Sequence, residues 1–191
     1  MEEMHDWPIS RQVVWGIRIP VWYKVDGHEA RLPVNVVDKQ GRQFHGPIQQ
    51  LLDGAPPVKG GGRVKLTIEE IKAGLQQLIV GVFDGANNPE IHVGKEPPKE
   101  GNWIQETDTF DTWFSSGHWP LVTLKYPNSD DFARFYPTSV LETGWEIIRF
   151  WVSRMIMFGI YLTGKPPFEY VYLHGLIQSS SKSETAKRSR T

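Results

Sequence analysis

Between Trp145 and Leu162 (WEIIRFWVSRMIMFGIYL) apolar side chains recur at Ile147, Trp151, Met155, Phe158 and Leu162, which draws one stripe along a helix. Ile148, Val152 and Ile156 widen that stripe, so the helix is expected to pack against a sheet or between layers. Thr143 followed three residues later by Glu146 has the form of a capping box and starts the helix near Gly144. Gly164 with Pro166 and Pro167 ends it. The run is apolar enough to raise the question of a membrane span. Glu146, Arg149 and Arg154 would each be costly in hydrocarbon, and no second apolar segment partners it, so a buried helix and no membrane are expected. Phe168 to Leu173 (FEYVYL) alternates aromatic and branched residues as a strand does. Helix, Pro-rich connection and strand form the second part of an αβ unit, the repeating element of a parallel sheet.

A second helical pattern runs from Lys65 to Phe83, with Ile68, Ile71, Leu75, Leu78, Ile79 and Val82 on one face. Thr67 and Glu70 give it a capping box, and Leu66 faces Ile71 as a hydrophobic staple. Leu32 to Phe44 reads as strand, turn around Asp38 to Gly41, strand. Val13 to Trp22 reads as a strand (VVW), then Gly16, then a second extended piece around Ile19 to Tyr23. Ser10-Arg11-Gln12 before it is, by pattern alone, a polar turn. Glycines and prolines cluster at 54–62 and 89–98, which marks loops. Residues 24–100 therefore read as a small α+β insertion without internal repeats.

Composition narrows this picture. The 191 residues suit one domain carrying an insertion, and 39% hydrophobic content suits a real core. The net charge of -1 gives no bulk electrostatic case for nucleic-acid binding, so any such contact must be local. With no cysteine there is neither a disulfide nor a cysteine-ligated zinc site. The opening MEEMHDWPIS lacks a basic region followed by an apolar run, so no secretory signal and a cytoplasmic location are expected.

Three segments carry more specific information: Asp6 to Tyr23 (DWPISRQVVWGIRIPVWY), Asp108 to Pro120 (DTFDTWFSSGHWP), and Phe135 to Leu176, which contains Thr143-Gly144-Trp145-Glu146 and His174-Gly175-Leu176. In this order they resemble the second half of the catalytic domain of the valyl-tRNA synthetase family, class I aminoacyl-tRNA synthetases related to the isoleucyl and leucyl enzymes. The resemblance implies an α/β fold: a Rossmann-like parallel sheet, the C-terminal half of a class I catalytic domain, built from 1–23 and 101–178. It implies valine, ATP (with Mg2+) and tRNA as ligands; the zinc that many members of the group hold in the corresponding insertion is not expected here, because the chain has no cysteine. Ser10-Arg11-Gln12 matches the point where the family's chain re-enters the catalytic fold after its editing insertion, which places the start of this chain inside a larger parent.

Class I synthetases join the amino-acid carboxylate to the ATP α-phosphate, a step that depends on positioning and charge stabilisation. The resemblance assigns Trp113 and Ile147 as walls of the amino-acid pocket. Trp113 without it would be a core aromatic. For ATP, Gly144 matches the small residue that admits ribose. Glu146 stands where the family usually has aspartate, and ribose contact and helix capping both remain open for it. His174-Gly175-Leu176 matches the turn that holds adenine, in agreement with ligand sites at the carboxyl ends of parallel strands.

Two patterns are set aside. Gly60-Gly61-Gly62-Arg63 has no preceding strand and no Gly-Lys-Ser/Thr, so it is a loop and not a nucleotide cradle. His92-Val93-Gly94-Lys95 resembles part of His-x-Gly-His but does not open a helix. After Leu176 the chain departs from the family: the expected Lys-Met-Ser-Lys-Ser is represented only by Ser180-Ser181-Lys182-Ser183, leaving Lys182 as the one candidate catalytic cation. Residues 179–191 are Ser-rich and basic and are expected to be a disordered tail. The resulting expectation is a partial catalytic domain, inactive alone, with an unpaired sheet edge and an uncovered apolar face around Trp151 and Met155 that favour self-association. The alternatives are an isoleucyl-type fragment or a non-catalytic RNA- or protein-binding module derived from a synthetase.

Overall fold

The structure, a computed structural model, describes residues 6–79 and 88–175. It contains two compact units, one of 8–111 and one that joins 1–7 to 112–191. In the first unit the strands are β1 (Ser10–Arg11), β2 (Val21–Lys24), β3 (Pro33–Val37), β4 (Gln43–Pro47), β5 (Leu75–Leu78), β6 (Ile91–Val93), β7 (Trp103–Gln105) and β8 (Thr109–Phe110). Helices α1 (Ile48–Asp53) and α2 (Ile68–Gly74) complete it. The strands form three small antiparallel sheets, ordered β1-β8, β6-β2-β7 and β4-β3-β5. Val34, Val36 and Phe44 point inward with Ile48, Leu51, Leu66 and Ile71 to make one core.

The expected hairpin is present. Asp38 closes its turn by accepting from the backbone N–H groups of Gln40 (3.0 Å) and Arg42 (2.8 Å), and Gly41 takes φ 77°. The Thr67–Glu70 capping box also forms: Glu70 N–H donates to Thr67 Oγ1 (3.2 Å) and Thr67 N–H to Glu70 Oε2 (2.9 Å). The helix it opens is shorter than its pattern. It stops at Gly74, and Leu75 to Leu78 pair with β3 as a strand. A Cβ on Gly74 would run into the Val37 carbonyl, so only glycine permits the chain to approach β3 this closely and change direction. Leucines spaced for a helix face serve equally well as strand residues with one side buried, and tertiary pairing decided between them. The far end of that predicted helix, from 80 to 83, lies outside the described residues.

Val13, Val14 and Trp15 were read as a strand and are not one. All three are exposed, and no pairing partner covers them among the described residues. The second extended piece does form, as β2.

The second unit carries α3 (Thr112–Gly117), α4 (Trp119–Thr123), α5 (Asp130–Phe135), β9 (Thr138–Gly144), α6 (Ser153–Thr163) and β10 (Phe168–His174). β9 and β10 are parallel, linked through a single-turn 3₁₀ segment (Trp145–Ile147), a π turn (Ile148–Val152) and α6, which together make one βαβ unit. The strand Phe168–Leu173 is therefore as expected, while β9 was not foreseen. Gly164, at φ 74°, ends α6 as its glycine suggested. No helix among the described residues is long and apolar enough to cross a membrane.

The capping box expected at Thr143 and Glu146 does not form. Thr143 is the buried penultimate residue of β9, and Gly144 occupies the N-cap without a side-chain hydrogen bond. Strand pairing with Leu173 claims Thr143 before it can turn toward the helix. The long helical stripe is also interrupted, because the π turn adds a residue to one turn and rotates the pattern. Met155 is buried and Trp151 packs on the same cluster, so the apolar face expected to be uncovered there is in fact covered. Exposed apolar groups lie elsewhere, among them Val140, Tyr170 and Tyr172 on the strands, Trp145 and Phe150 before α6, and Ile160, Tyr161 and Leu162 near the end of α6.

Candidate active site

The site is built where β9 and β10 end. Their register pairs Thr143 with Leu173 and Gly144 with His174, so the two turns expected from the resemblance to hold ATP leave adjacent strands side by side. Gly144 is buried, and the space its missing Cβ leaves is occupied by the Glu146 carboxylate, which folds back over it. Glu146 itself is exposed, in the first turn after the strand. His174 is exposed, with Nδ1 3.1 Å from the Gly175 carbonyl oxygen, and among the described residues nothing lies within 4 Å of a Cβ built on Gly175.

Trp113 sits on α3, half-buried, with its ring stacked on Phe150 at 5.6 Å between centroids and 25° between planes. Ile147, also half-buried, closes the 3₁₀ turn three residues before Phe150. The sequence reading did not single out Phe150, whose place off the helical stripe hid it. Arg154 secures this turn: its Nη1 donates to the carbonyls of Arg149 (2.6 Å) and Phe150 (3.0 Å), and its guanidinium lies 4.0 Å from the Trp7 ring centroid. Trp151 Nε1 donates to the Ser116 carbonyl at 3.0 Å, tying the turn to α3. Leu176 and Lys182 lie outside the described residues.

The Ser-Arg-Gln and Asp-Thr-Phe-Asp segments prove to be one assembly. Ser10 pairs with Phe110 and Arg11 with Thr109. Arg11 forms an ion pair with the buried Asp111, Gln12 Nε2 donates to Asp108 Oδ2 (2.5 Å), and Arg11 Nη1 also donates to the Pro8 carbonyl (2.7 Å). Ser10-Arg11-Gln12 is thus strand and clamp, not a plain turn. Glu106, buried, accepts from the backbone N–H groups of Thr107 (2.6 Å) and Asp108 (3.1 Å) and from the Tyr23 hydroxyl (3.1 Å). Burial first, then the Glu106 charge, pushes the Tyr23 pKa well up, so it remains a donor. A groove of about 640 Å³ bordered by Gln12, Arg18, Gln77 and Asp108 lies in this unit; neither Trp113 nor residues 144–147 line it.

His92 is a residue of the edge strand β6, its ring 6.2 Å from Trp103, and it starts no helix. Among the described residues no group of three or more His, Asp or Glu side chains could hold a metal ion.

Comparison with known proteins places this arrangement. Residues 1–50 and 69–190 match the family of tRNA synthetases class I (I, L, M and V), and the chain belongs to that family. Among individual relatives, the valine–tRNA ligases of Streptococcus pyogenes and Streptococcus pneumoniae are each 34% identical over 189 residues, covering 98% of this chain and 14% of their own length. The valine–tRNA ligase of Streptomyces coelicolor is 34% identical over the same number, with 15% of its length covered. The chain spans about a seventh of the length of the curated relatives it matches.

Proposed function

We propose that the chain carries part of the catalytic core of a valine-specific aminoacyl-tRNA synthetase, a cytoplasmic participant in translation whose substrates are valine, ATP and tRNA. The observation that carries this reading is the parallel register that sets Gly144 beside His174 at the carboxyl ends of β9 and β10. In it the β9-β10 pair belongs to a Rossmann-like sheet, and segments 1–23 and 101–178 form the core around an α+β insertion at 24–100. The pairing of β1 with β8 and β2 with β7 supports this division, because it draws the entry and exit of the insertion together.

In the proposed reaction the valine carboxylate attacks the ATP α-phosphate and pyrophosphate leaves, giving valyl-adenylate; a terminal ribose hydroxyl of tRNA then takes the valyl group and AMP leaves. Gly144, without a Cβ, lets the Glu146 carboxylate fold over the start of the turn, where ribose approaches and its hydroxyls donate hydrogen bonds to that carboxylate. The backbone of His174, Gly175 and Leu176 takes the adenine edge. Trp113, held by Phe150, and Ile147 provide the apolar walls for valine. Lys182 offsets phosphate charge, and Mg2+ arrives with ATP. Zinc has no part.

Calorimetric titration of the chain with the sulfamoyl analogue of valyl-adenylate tests the reading. Binding is expected, weaker for the isoleucyl analogue and weakened by Trp113→Ala. No binding, or binding indifferent to Trp113→Ala, would overturn it. The 191 residues alone are expected to show no valine-dependent ATP–pyrophosphate exchange, because of the family's phosphate-neutralising groups only Lys182 is matched.

A further inference from the structure

Residues 39–65 carry five lysines and arginines against the single acid Asp53, in a chain whose net charge is -1. Three of these cations, Lys59, Arg63 and Lys65, fall close together in the sequence. Ala55 and Val64 exchange backbone hydrogen bonds (3.1 and 3.0 Å), which closes the intervening residues into one loop that presents Lys59 and Arg63 beside Gly60-Gly61-Gly62. Lys65 follows directly, its aliphatic stem packed 3.3 Å from the position of a Cβ on Gly54 and its head exposed. Among the described residues none of the three side chains forms an ion pair or hydrogen bond, whereas Arg42 is taken by Asp38 and Asp53 by Gln49. Val58, 60% exposed, donates its N–H to the Gln43 carbonyl (2.6 Å) and so fixes the loop along the edge of β4.

Beside the loop runs a groove of about 360 Å³ across the outer face of the β4-β3-β5 sheet, with Asn35, Gln43, His45 and Gln76 along it and Val58 at its side. Its polar groups are ordered: His45 Nδ1 donates to Asn35 Oδ1 (2.5 Å), and Asn35 Nδ2 donates to Gln77 Oε1 (2.9 Å). Neutral donors and acceptors in a groove flanked by a basic loop, which reaches it through Val58, suit a ligand that offers ribose and base edges along a chain of phosphates. Glycines at the tip let a backbone approach closely, and no nucleotide-binding motif is required for that.

We propose that this loop is an RNA contact that grips the sugar–phosphate backbone through Lys59, Arg63 and Lys65, with the adjoining groove facing the nucleotides. The proposal rests on the reading of tRNA as a substrate and adds a place on the chain where it is held.

The test is fluorescence anisotropy of the chain with a labelled, unmodified valine-acceptor tRNA transcript over a range of KCl. Wild-type binding is expected to weaken steeply with salt. In the K59A/R63A/K65A variant affinity at low salt should fall at least about tenfold, and the log–log salt slope should shrink by about 2 to 3, as three lost phosphate contacts require. A K95A/K99A/K165A variant removes the same charge from other exposed positions and should stay near wild type. No RNA binding by the wild type, an unchanged K59A/R63A/K65A variant, or an equal loss in both variants would each overturn the proposal. Titration with the valyl-adenylate analogue separates it from the enzymatic reading: RNA binding lost through the loop with no analogue bound by the wild type would sink that reading and leave this one standing.

Discussion

Gly144 and His174 are register partners at the ends of two parallel strands, and the Glu146 carboxylate fills the space beside Gly144 where any other residue would carry its Cβ. Gly144 has φ -68° and ψ 144°, which alanine adopts without strain. Gly144→Ala should therefore displace the flexible end of Glu146 and little else. Its melting temperature should stay close to wild type, while affinity for the valyl-adenylate analogue drops by about tenfold, equivalent to about 1.4 kcal/mol. A large loss of stability with unchanged affinity would make Gly144 a packing residue.

Glu146 makes no cap, so its role can be isolated. Glu146→Gln should leave the thermal melt unchanged, since the helix start loses no side-chain hydrogen bond. The stabilisation produced by the adenylate analogue should shrink, because an amide is a weaker acceptor than a carboxylate. An undiminished ligand-induced shift would remove Glu146 from the ribose site.

Arg11 and Asp111 bring together the two halves of an assembly about a hundred residues apart in sequence, and Asp111 is the buried partner. Arg11→Ala removes the Arg11 ion pair from that buried carboxylate and should cost about 1–3 kcal/mol of stability. A double-mutant cycle with Asp111→Asn should show a coupling above about 1 kcal/mol by denaturant unfolding. Additive effects would reduce the pair to a surface contact.

Acid should weaken the 8–111 unit. Asp26 accepts from the Asn102 side chain (2.8 Å) and its backbone N–H (2.7 Å), and Glu70 from the backbone N–H of Thr67 (2.9 Å) and its hydroxyl (3.0 Å). These hydrogen bonds hold both carboxyls below their usual pKa values. A depressed folded pKa adds stability that is full above the unfolded value and is lost as pH falls through the folded one. Melts taken from about pH 5 down to about pH 2 should show this loss, with a shallower slope for Asp26→Asn. Thr67→Ala should cost about 1 kcal/mol at neutral pH through loss of the cap.

Val140, Tyr170 and Tyr172 leave apolar surface exposed on the β9-β10 pair, and among the described residues that two-stranded sheet has two open edges. Light scattering with size-exclusion chromatography should find concentration-dependent self-association, reduced by Tyr170→Lys on the exposed face. A monomer at all concentrations that binds no hydrophobic dye would rule this out.

Local chemistry was legible wherever one short segment decides the outcome. The Thr67-x-x-Glu70 box, the Asp38 turn, the Gly164 stop and the strand Phe168–Leu173 each depend on neighbours in sequence, and each formed as read. The family was legible for a similar reason, since three ordered motifs carry it without any knowledge of packing.

Tertiary structure decided the rest. Leu75 and Leu78 satisfy a helix face and a half-buried strand equally, and β3 claimed them. Thr143 and Glu146 spell a capping box, yet pairing with β10 held Thr143 in a strand. The π turn that rotates Phe150 toward Trp113 leaves no mark in a pattern read at 3.6 residues per turn. Arg11 and Asp111 meet only because two distant strands pair. The sequence by itself thus determined the Thr67 cap, the Asp38 turn and the family, whose signals are local, whereas the competition between equally good local structures was settled by long-range pairing that no local pattern records.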